Sequence, residues 1–242
     1  MNTVKIDSGN VKMIAHRGLS GLERENTYPA FVAASNRSYF GVETDVHKTS
    51  DGQFIIIHDE TTKRVTLETT DINIEENPYH AVKDLVLPDI DGSFTRNDIK
   101  IPLLCDYINI CKKYEKTCVL ELKNRIEKEY IIKMVDEIKN LGYLENVIFI
   151  SFSLDNCIDL RSILKDNDIQ FLTKSEVTDE LINTLVSNNL NLDIYYKCLT
   201  KENVDKLHKN NILVNCWTCD DKEDAENLVK MGVDFITSNI LE

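Results

Sequence analysis

From Ile101 onward, short β-type apolar runs alternate with longer stretches of helical periodicity, and this alternation constrains the fold more tightly than any other feature. Runs at 117–123, 147–152, 170–174, 192–196, 213–218 and 233–237 have strand character, and helical patterns at 128–141, 154–164, 178–186, 200–209 and 222–231 separate them. Strands joined through single helices lie parallel, because each connection carries the chain back to its starting end. Thr178-Asp-Glu and Thr200-Lys-Glu offer helix N-caps, and Gly142 and Gly232 fall where helices should stop.

Upstream, residues 11–15 and 41–46 read as two more strands, joined by a helix over 29–36 with Pro29 in its first turn. Residues 54–58 give a ninth strand, one more than an eight-stranded barrel holds. The link Thr49-Ser-Asp-Gly52 is far shorter than a parallel crossover, so this strand must return antiparallel as a hairpin arm. Pairing Thr49 with Phe54 would set Asp45 opposite His58. Eight parallel strands remain, with a helix in each of the intervening segments. The expected fold is therefore α/β, a (β/α)8 TIM barrel with a hairpin arm after its second strand. With four prolines, eight glycines and no low-complexity linker, residues 1–242 are expected to form a single domain. Periodicity lapses between 60 and 100, where Asn77-Pro78, Pro88 and Asp91-Gly92 mark turns; this reads as a small insertion over the barrel mouth, before the second helix, and a candidate substrate lid.

Composition removes several function classes. An apolar content of 42% in 242 residues is ample for a core. The net charge of −13, from 41 acidic and 28 basic residues, argues against nucleic acid or an anionic membrane as partner. No run reaches the roughly 20 apolar residues of a membrane span, and the segment MNTVKIDSGNVK lacks a signal-peptide core, so stable membrane insertion is not expected and a cytoplasmic location is. Seven cysteines, scattered through periodic segments, read as free thiols; Cys216-Trp-Thr-Cys219 lacks the second ligand pair that a structural zinc site needs.

The chemistry gathers at strand ends, where barrel active sites lie. Glu43 and Asp45, two residues apart, share one inward face, and Glu121 and Lys123 repeat the arrangement. Three carboxylates converging from two strands repel each other unless a cation lies between them, and a hard divalent ion, Mg²⁺ or Ca²⁺, is the natural partner. His16 and His58 supply two proton-transfer groups at the same mouth, and Arg17 and Lys123 two permanent cations. That set suits an anionic substrate, and phosphate better than a carbonyl. His47 has inward parity but is expected to be solvated on the arm, and His80 and His208 are expected to have plain surface roles.

Ile14-Ala-His-Arg-Gly18, Glu25-Asn-Thr27, Val42-Glu-Thr-Asp-Val46, Thr49-Ser-Asp-Gly52 and His58-Asp59 together resemble the glycerophosphodiester phosphodiesterase family. The resemblance continues in order through Glu121-Leu-Lys123, Ile150-Ser-Phe152, Trp217-Thr218 and Gly232-Val-Asp-Phe-Ile-Thr237. It implies a barrel hydrolase with metal ligands at Glu43, Asp45 and Glu121, an acid/base pair at His16 and His58, and phosphate contacts from Arg17 and Lys123. The implied substrate is a small glycerophosphodiester such as glycerophosphocholine or glycerophosphoethanolamine. Its 2-hydroxyl attacks phosphorus to give a cyclic phosphate, which water opens to glycerol 3-phosphate. Trp217 would wall the glycerol or the leaving alcohol. Two departures stand out: Arg24 replaces the usual proline before Glu25, and Thr237-Ser238-Asn239-Ile240 replaces a Thr-Asp ending with a nearby proline. The rival readings are a phospholipase D-like lyase that stops at the cyclic phosphate, a lysophospholipid or other diester hydrolase, and a non-catalytic barrel that binds a phosphorylated ligand. An acidic, Asn-containing insertion favours soluble diesters over lipid.

Overall fold

Strand parity and helix periodicity act together in the computed structural model, which describes residues 2–242. The strands are β1 (Lys12–Ala15), β2 (Gly41–Lys48), β3 (Phe54–Ile56), β4 (Thr117–Leu122), β5 (Val147–Ser151), β6 (Ile169–Thr173), β7 (Asn191–Tyr195), β8 (Val214–Trp217) and β9 (Phe235–Ser238). The helices are α1 (Tyr28–Ser35), α2 (Leu104–Lys113), α3 (Lys128–Asn140), α4 (Leu154–Ile163), α5 (Asp179–Asn188), α6 (Lys201–Lys209) and α7 (Lys222–Met231). Every strand but β3 pairs parallel with its neighbours, and β1 closes the ring by pairing with both β2 and β9. The expected TIM barrel is what forms.

Alternation divides each strand between two cores. Val42, Val46, Cys118, Leu120, Leu122 and Phe149 face outward and pack beneath the helices, while Ile14, Val119, Ile148, Ile150, Leu172 and Phe235 form a separate inner cluster. Helix α3 shows why the outer layer closes: Ile131, Met134, Val135 and Ile138 recur at helical spacing and are all buried. Truncating one of these to alanine should cost about 2–5 kcal/mol. Ser153, Thr178, Thr200 and Asp221 cap α4, α5, α6 and α7 by accepting from backbone N–H groups three residues on. From α2, the buried Tyr107 hydroxyl donates to Val42 O at 2.6 Å and accepts from Val119 N at 3.0 Å, tying the helix to the two strands that carry the carboxylates.

The hairpin arm corrects one expected register. Lys48 faces Phe54 and Val46 faces Ile56, one residue away from the expected pairing. Thr49 already pairs with Gln53, accepting nothing from Phe54: its N–H donates to Gln53 O at 2.9 Å, and the loop between them is three residues ending in Gly52 at φ +80°. Asp45 therefore lies across from Ile57, whose N–H donates to Asp45 O at 3.1 Å, and His58 sits just beyond the strand.

Residues 60–100 carry little regular structure, yet they have a core. Ile55 and Ile57 of the arm pack with Val65, Ile74, Val82, Leu87, Ile99 and Ile101 in a cluster of their own. His47, which was expected to be solvated, is 1% exposed. Its Nδ1 lies 3.0 Å from Glu75 Oε1 and its Nε2 3.2 Å from His58 O, so it ties the insertion to the backbone of His58.

Candidate active site

Parallel register assembles the carboxylates. Asp45 of β2 is the direct partner of Glu121 in β4, and Glu43 lies two positions back on the same inward face. One oxygen of each falls within 4.8 Å of the others, and all three residues are buried. Burial and the Asp45 charge push Glu43 well above the usual carboxylate range and raise Glu121 to about 7, against the opposing pull of Lys123 on Glu121. Burial also acts on Asp45, but Lys123 and Arg17 outweigh it and hold that carboxyl low. Lys123 Nζ is 2.7 Å from Glu121 Oε1 and 3.3 Å from Asp45 Oδ1. A buried all-oxygen set that holds excess negative charge fits a hard divalent cation.

The strand-end loop after β1 is held in place with unusual backbone. Arg17 and Asn26 both adopt positive φ, at 54° and 55°. Arg17 N donates to Glu43 Oε2 at 2.8 Å, Asn26 Nδ2 donates to Asp45 Oδ2 at 2.7 Å, and Thr44 Oγ1 donates to Asn26 Oδ1 at 2.8 Å. Gly18 follows at φ +75°, and a Cβ there would meet Ala30 of α1 at 2.7 Å, so no other residue fits.

His16 and His58 reach the same cavity, of about 260 Å³, which Arg17, Glu43, Glu121, Lys123 and Trp217 also line. His16 Nε2 is 4.0 Å from Glu43 Oε2, and its Nδ1 is 2.7 Å from Asn239 Oδ1. Burial and the Arg17 charge bring the His16 imidazolium down to about 4. Burial lowers His58 too, opposed in part by Asp45, and its Nδ1 lies 2.6 Å from Asp59 Oδ1. Arg64 joins Asp59 to Glu25, and Glu25 contacts Arg17 at 2.9 Å, so a chain of alternating charges links the two sides of the cavity.

The opposite wall is mostly aromatic and aliphatic. Trp217 packs edge-on against Phe152 at 5.6 Å and tilts against Tyr195 at 6.0 Å, with Lys174 Nζ 5.3 Å over the indole. Asp193 enters this wall from β7, buried with Oδ1 unpartnered, and burial and the Glu121 charge push its carboxyl well up. A larger open groove of about 510 Å³ lies at the amino-terminal ends of the strands, but Arg161, its guanidinium, is occupied there by four backbone carbonyls.

All eight site residues read from the sequence thus meet at one mouth. The supporting residues Glu25, Asn26, Asp59, Arg64, Asp193 and Asn239 were assigned no role there. Glu25-Asn26 and Asp59 sat inside recognised motifs, and Asp193 was visible as a lone acid within an apolar strand. Away from the mouth, His208 pairs with Asp234 at 2.9 Å, and the Cys216 and Cys219 thiols point to separate carbonyls, of Phe235 and Asp221.

A barrel whose mouth sets a carboxylate cluster between two histidines and two fixed cations defines a class of enzyme that works on phosphate esters. The model of the glycerophosphoryl diester phosphodiesterase family matches residues 16–241. A glycerophosphodiester phosphodiesterase of Caldanaerobacter subterraneus subsp. tengcongensis is 30% identical over 236 residues, covering 94% of this chain and 93% of its own. A glycerophosphodiester phosphodiesterase structure from Parabacteroides distasonis aligns at TM-score 0.77 and 27% identity over 95% of this chain and 93% of that one. An Oleispira antarctica phosphodiesterase, solved in complex with the product sn-glycerol-3-phosphate, shares the fold at TM-score 0.83 and 23% identity over 98% of this chain and 96% of that one. The chain belongs to the glycerophosphoryl diester phosphodiesterase family, the phosphoric diester hydrolases.

Proposed function

We propose that this enzyme hydrolyses small glycerophosphodiesters, such as glycerophosphocholine or glycerophosphoethanolamine, to glycerol 3-phosphate and an alcohol, with Mg²⁺ or Ca²⁺ at Glu43, Asp45 and Glu121. The observation that carries this reading is the charge arrangement of the mouth. Three carboxylates against Arg17 and Lys123 leave one negative charge, and a divalent cation reverses it to one positive, complementary to a singly charged phosphodiester. The product bound by the Oleispira antarctica relative supports glycerol 3-phosphate as the product here.

When bound, the cation neutralises charge growing on the phosphoryl oxygens. Arg17 and Lys123 orient the phosphate and share that task. His16 and His58 exchange one proton with the attacking glycerol 2-hydroxyl and one with the leaving alcohol, then reverse roles as water opens the cyclic phosphate. Trp217 and Phe152 exclude water from the glycerol side. The reading takes residues 1–242 as one catalytic domain. It places the enzyme in the cytoplasm, a location supported by seven free thiols; no helix among the described residues is long and apolar enough to cross a membrane.

The test is to strip divalent ions with a chelator, restore Mg²⁺ or Ca²⁺ in turn, and follow glycerophosphocholine by phosphorus NMR. Metal-dependent formation of glycerol 3-phosphate is expected, with a transient cyclic phosphate. Accumulation of the cyclic product would make the enzyme a lyase, and inertness toward a panel of glycerophosphodiesters would overturn the proposal.

A further inference from the structure

The departure at the end of the last strand, Ser238-Asn239-Ile240, has a partner in the site. Asn239 Nδ2 donates to Asp220 Oδ2 at 2.6 Å, and Asn239 N donates to Asp220 Oδ1 at 2.7 Å. Ser238 Oγ donates to the same Oδ1 at 2.8 Å, so Asp220 holds this turn through three contacts. An ionised carboxylate only accepts, so the amide nitrogen must face it and the amide oxygen must face the other way. That oxygen meets His16 Nδ1 at 2.7 Å and the Ser20 hydroxyl at 2.6 Å, while the same hydroxyl lies 2.7 Å from His16 O. The opposite amide orientation would press two acceptors together against Asp220.

We infer that Asn239, clamped by Asp220, is a positioning residue that holds His16 in its Nδ1–H tautomer with the Nε2 lone pair turned toward the carboxylate cluster. A neutral amide oxygen accepts from Nδ1–H whether or not Nε2 is protonated, so the ring keeps its orientation through a proton-transfer cycle. His58 is held differently, since its Nδ1 lies 2.6 Å from a carboxylate oxygen of Asp59, which Arg64 in turn binds.

Resting on the function proposed above, the free Nε2 lone pair makes His16 the base of the first step and leaves His58 as its acid. His16 Nε2 takes the proton of the glycerol 2-hydroxyl as that oxygen bonds to phosphorus, and the leaving alcohol oxygen departs with the P–O electron pair and takes its proton from His58. In the second step His58 takes a proton from water as its oxygen bonds to phosphorus, and His16 returns its proton to the 2-oxygen as the ring opens.

The tautomer is read by nitrogen NMR of the full chain, labelled in its histidine rings and freed of divalent ions, at about pH 8, above the ordinary histidine value. The His16 signals are those lost in His16→Ala. The expected wild-type pattern is a protonated Nδ1 and an unprotonated Nε2; a proton on Nε2, or the mixture of free imidazole, overturns the inference without any variant. Asn239→Leu should abolish the pattern and lower kcat by about 10–100-fold with little change in KM. Asp220→Asn, which frees the amide to turn while keeping an acceptor for the backbone, should produce a smaller change of the same kind. An unchanged ring spectrum and kcat in Asn239→Leu would refute the positioning role. Near-normal turnover in His16→Ala would instead overturn the acid/base reading, which the ring spectrum does not test.

Discussion

The two halves of the barrel mouth are built from different material. The half formed by β1, β2, the hairpin arm and β4 carries His16, Arg17, Glu43, Asp45, His58, Glu121 and Lys123, the three carboxylates buried and the rest half-buried. The half formed by β5 to β8 offers Ile150, Phe152, Leu172 and Trp217, with Phe152 41% exposed at the rim. The first half gathers the groups that can move protons and balance charge, while the second mainly shapes and dries the space beside it, with Lys174 and Asp193 its charged members. The chemistry and the fit are thus assigned to separate strands, and substitutions should separate them kinetically.

The charged half should be the less forgiving. Replacing His58 or His16 with alanine is expected to lower kcat for glycerophosphocholine by about 10²–10⁴-fold, the usual weight of a positioned acid or base, with thermal unfolding little changed. Near-normal rates in either variant would break the division at its centre. Glu121→Gln should come next. Removing one of three anionic ligands is expected to weaken activation by the divalent ion by about 10–100-fold, seen as a rightward shift of the metal titration. An unmoved titration curve would take Glu121 out of the ligand set.

The aromatic half should respond in KM. Trp217→Ala removes the ring that packs on Phe152 and Tyr195, and its own Nε1 has no hydrogen-bond partner to lose. The expected result is a KM higher by about tenfold, equivalent to about 1.4 kcal/mol, with kcat within a few-fold of wild type. A fall in kcat with KM unchanged would mean that the wall acts on the transition state, and the two halves would not be separable.

How far the sequence foretold this division follows from which contacts are local. Parity alone put Glu43 and Asp45 on one face, and the alternation of strands and helices was enough to derive a barrel whose strand ends gather at one mouth. The pairing of Asp45 with Glu121 was not legible, because parallel register is set by packing across a helical crossover and leaves no local mark. The hairpin register slipped by one because Thr49 bonds to Gln53 across a three-residue loop, which sets Lys48 and not Thr49 opposite Phe54. His47 was misread because its partner, Glu75, lies in the insertion, a stretch with no regular periodicity to interpret. Asn239 meets His16 across nearly the whole chain, a contact that only ring closure between β1 and β9 creates.

The smallest effect concerns what holds the charged half together, the chain from Arg17 through Glu25, Arg64 and Asp59 to His58. Burial alone would raise Glu25, but hydrogen bonds from Arg64 and the charge of Arg17 outweigh it and hold the carboxyl at about 2, below its ordinary value of 4.5. A carboxyl held low in the folded state contributes stability that is complete above the ordinary value and lost as pH falls through the folded one. Urea unfolding should therefore show a loss of stability between about pH 4.5 and pH 2 that Arg64→Gln reduces, because the variant has already lost part of that contribution. The difference should be modest, since the Arg64 side chain is 46% exposed and solvent screens its charge. If wild type and variant lose stability in parallel across that window, Arg64 is a rim contact only, and the Arg17 side of the mouth holds its geometry without it.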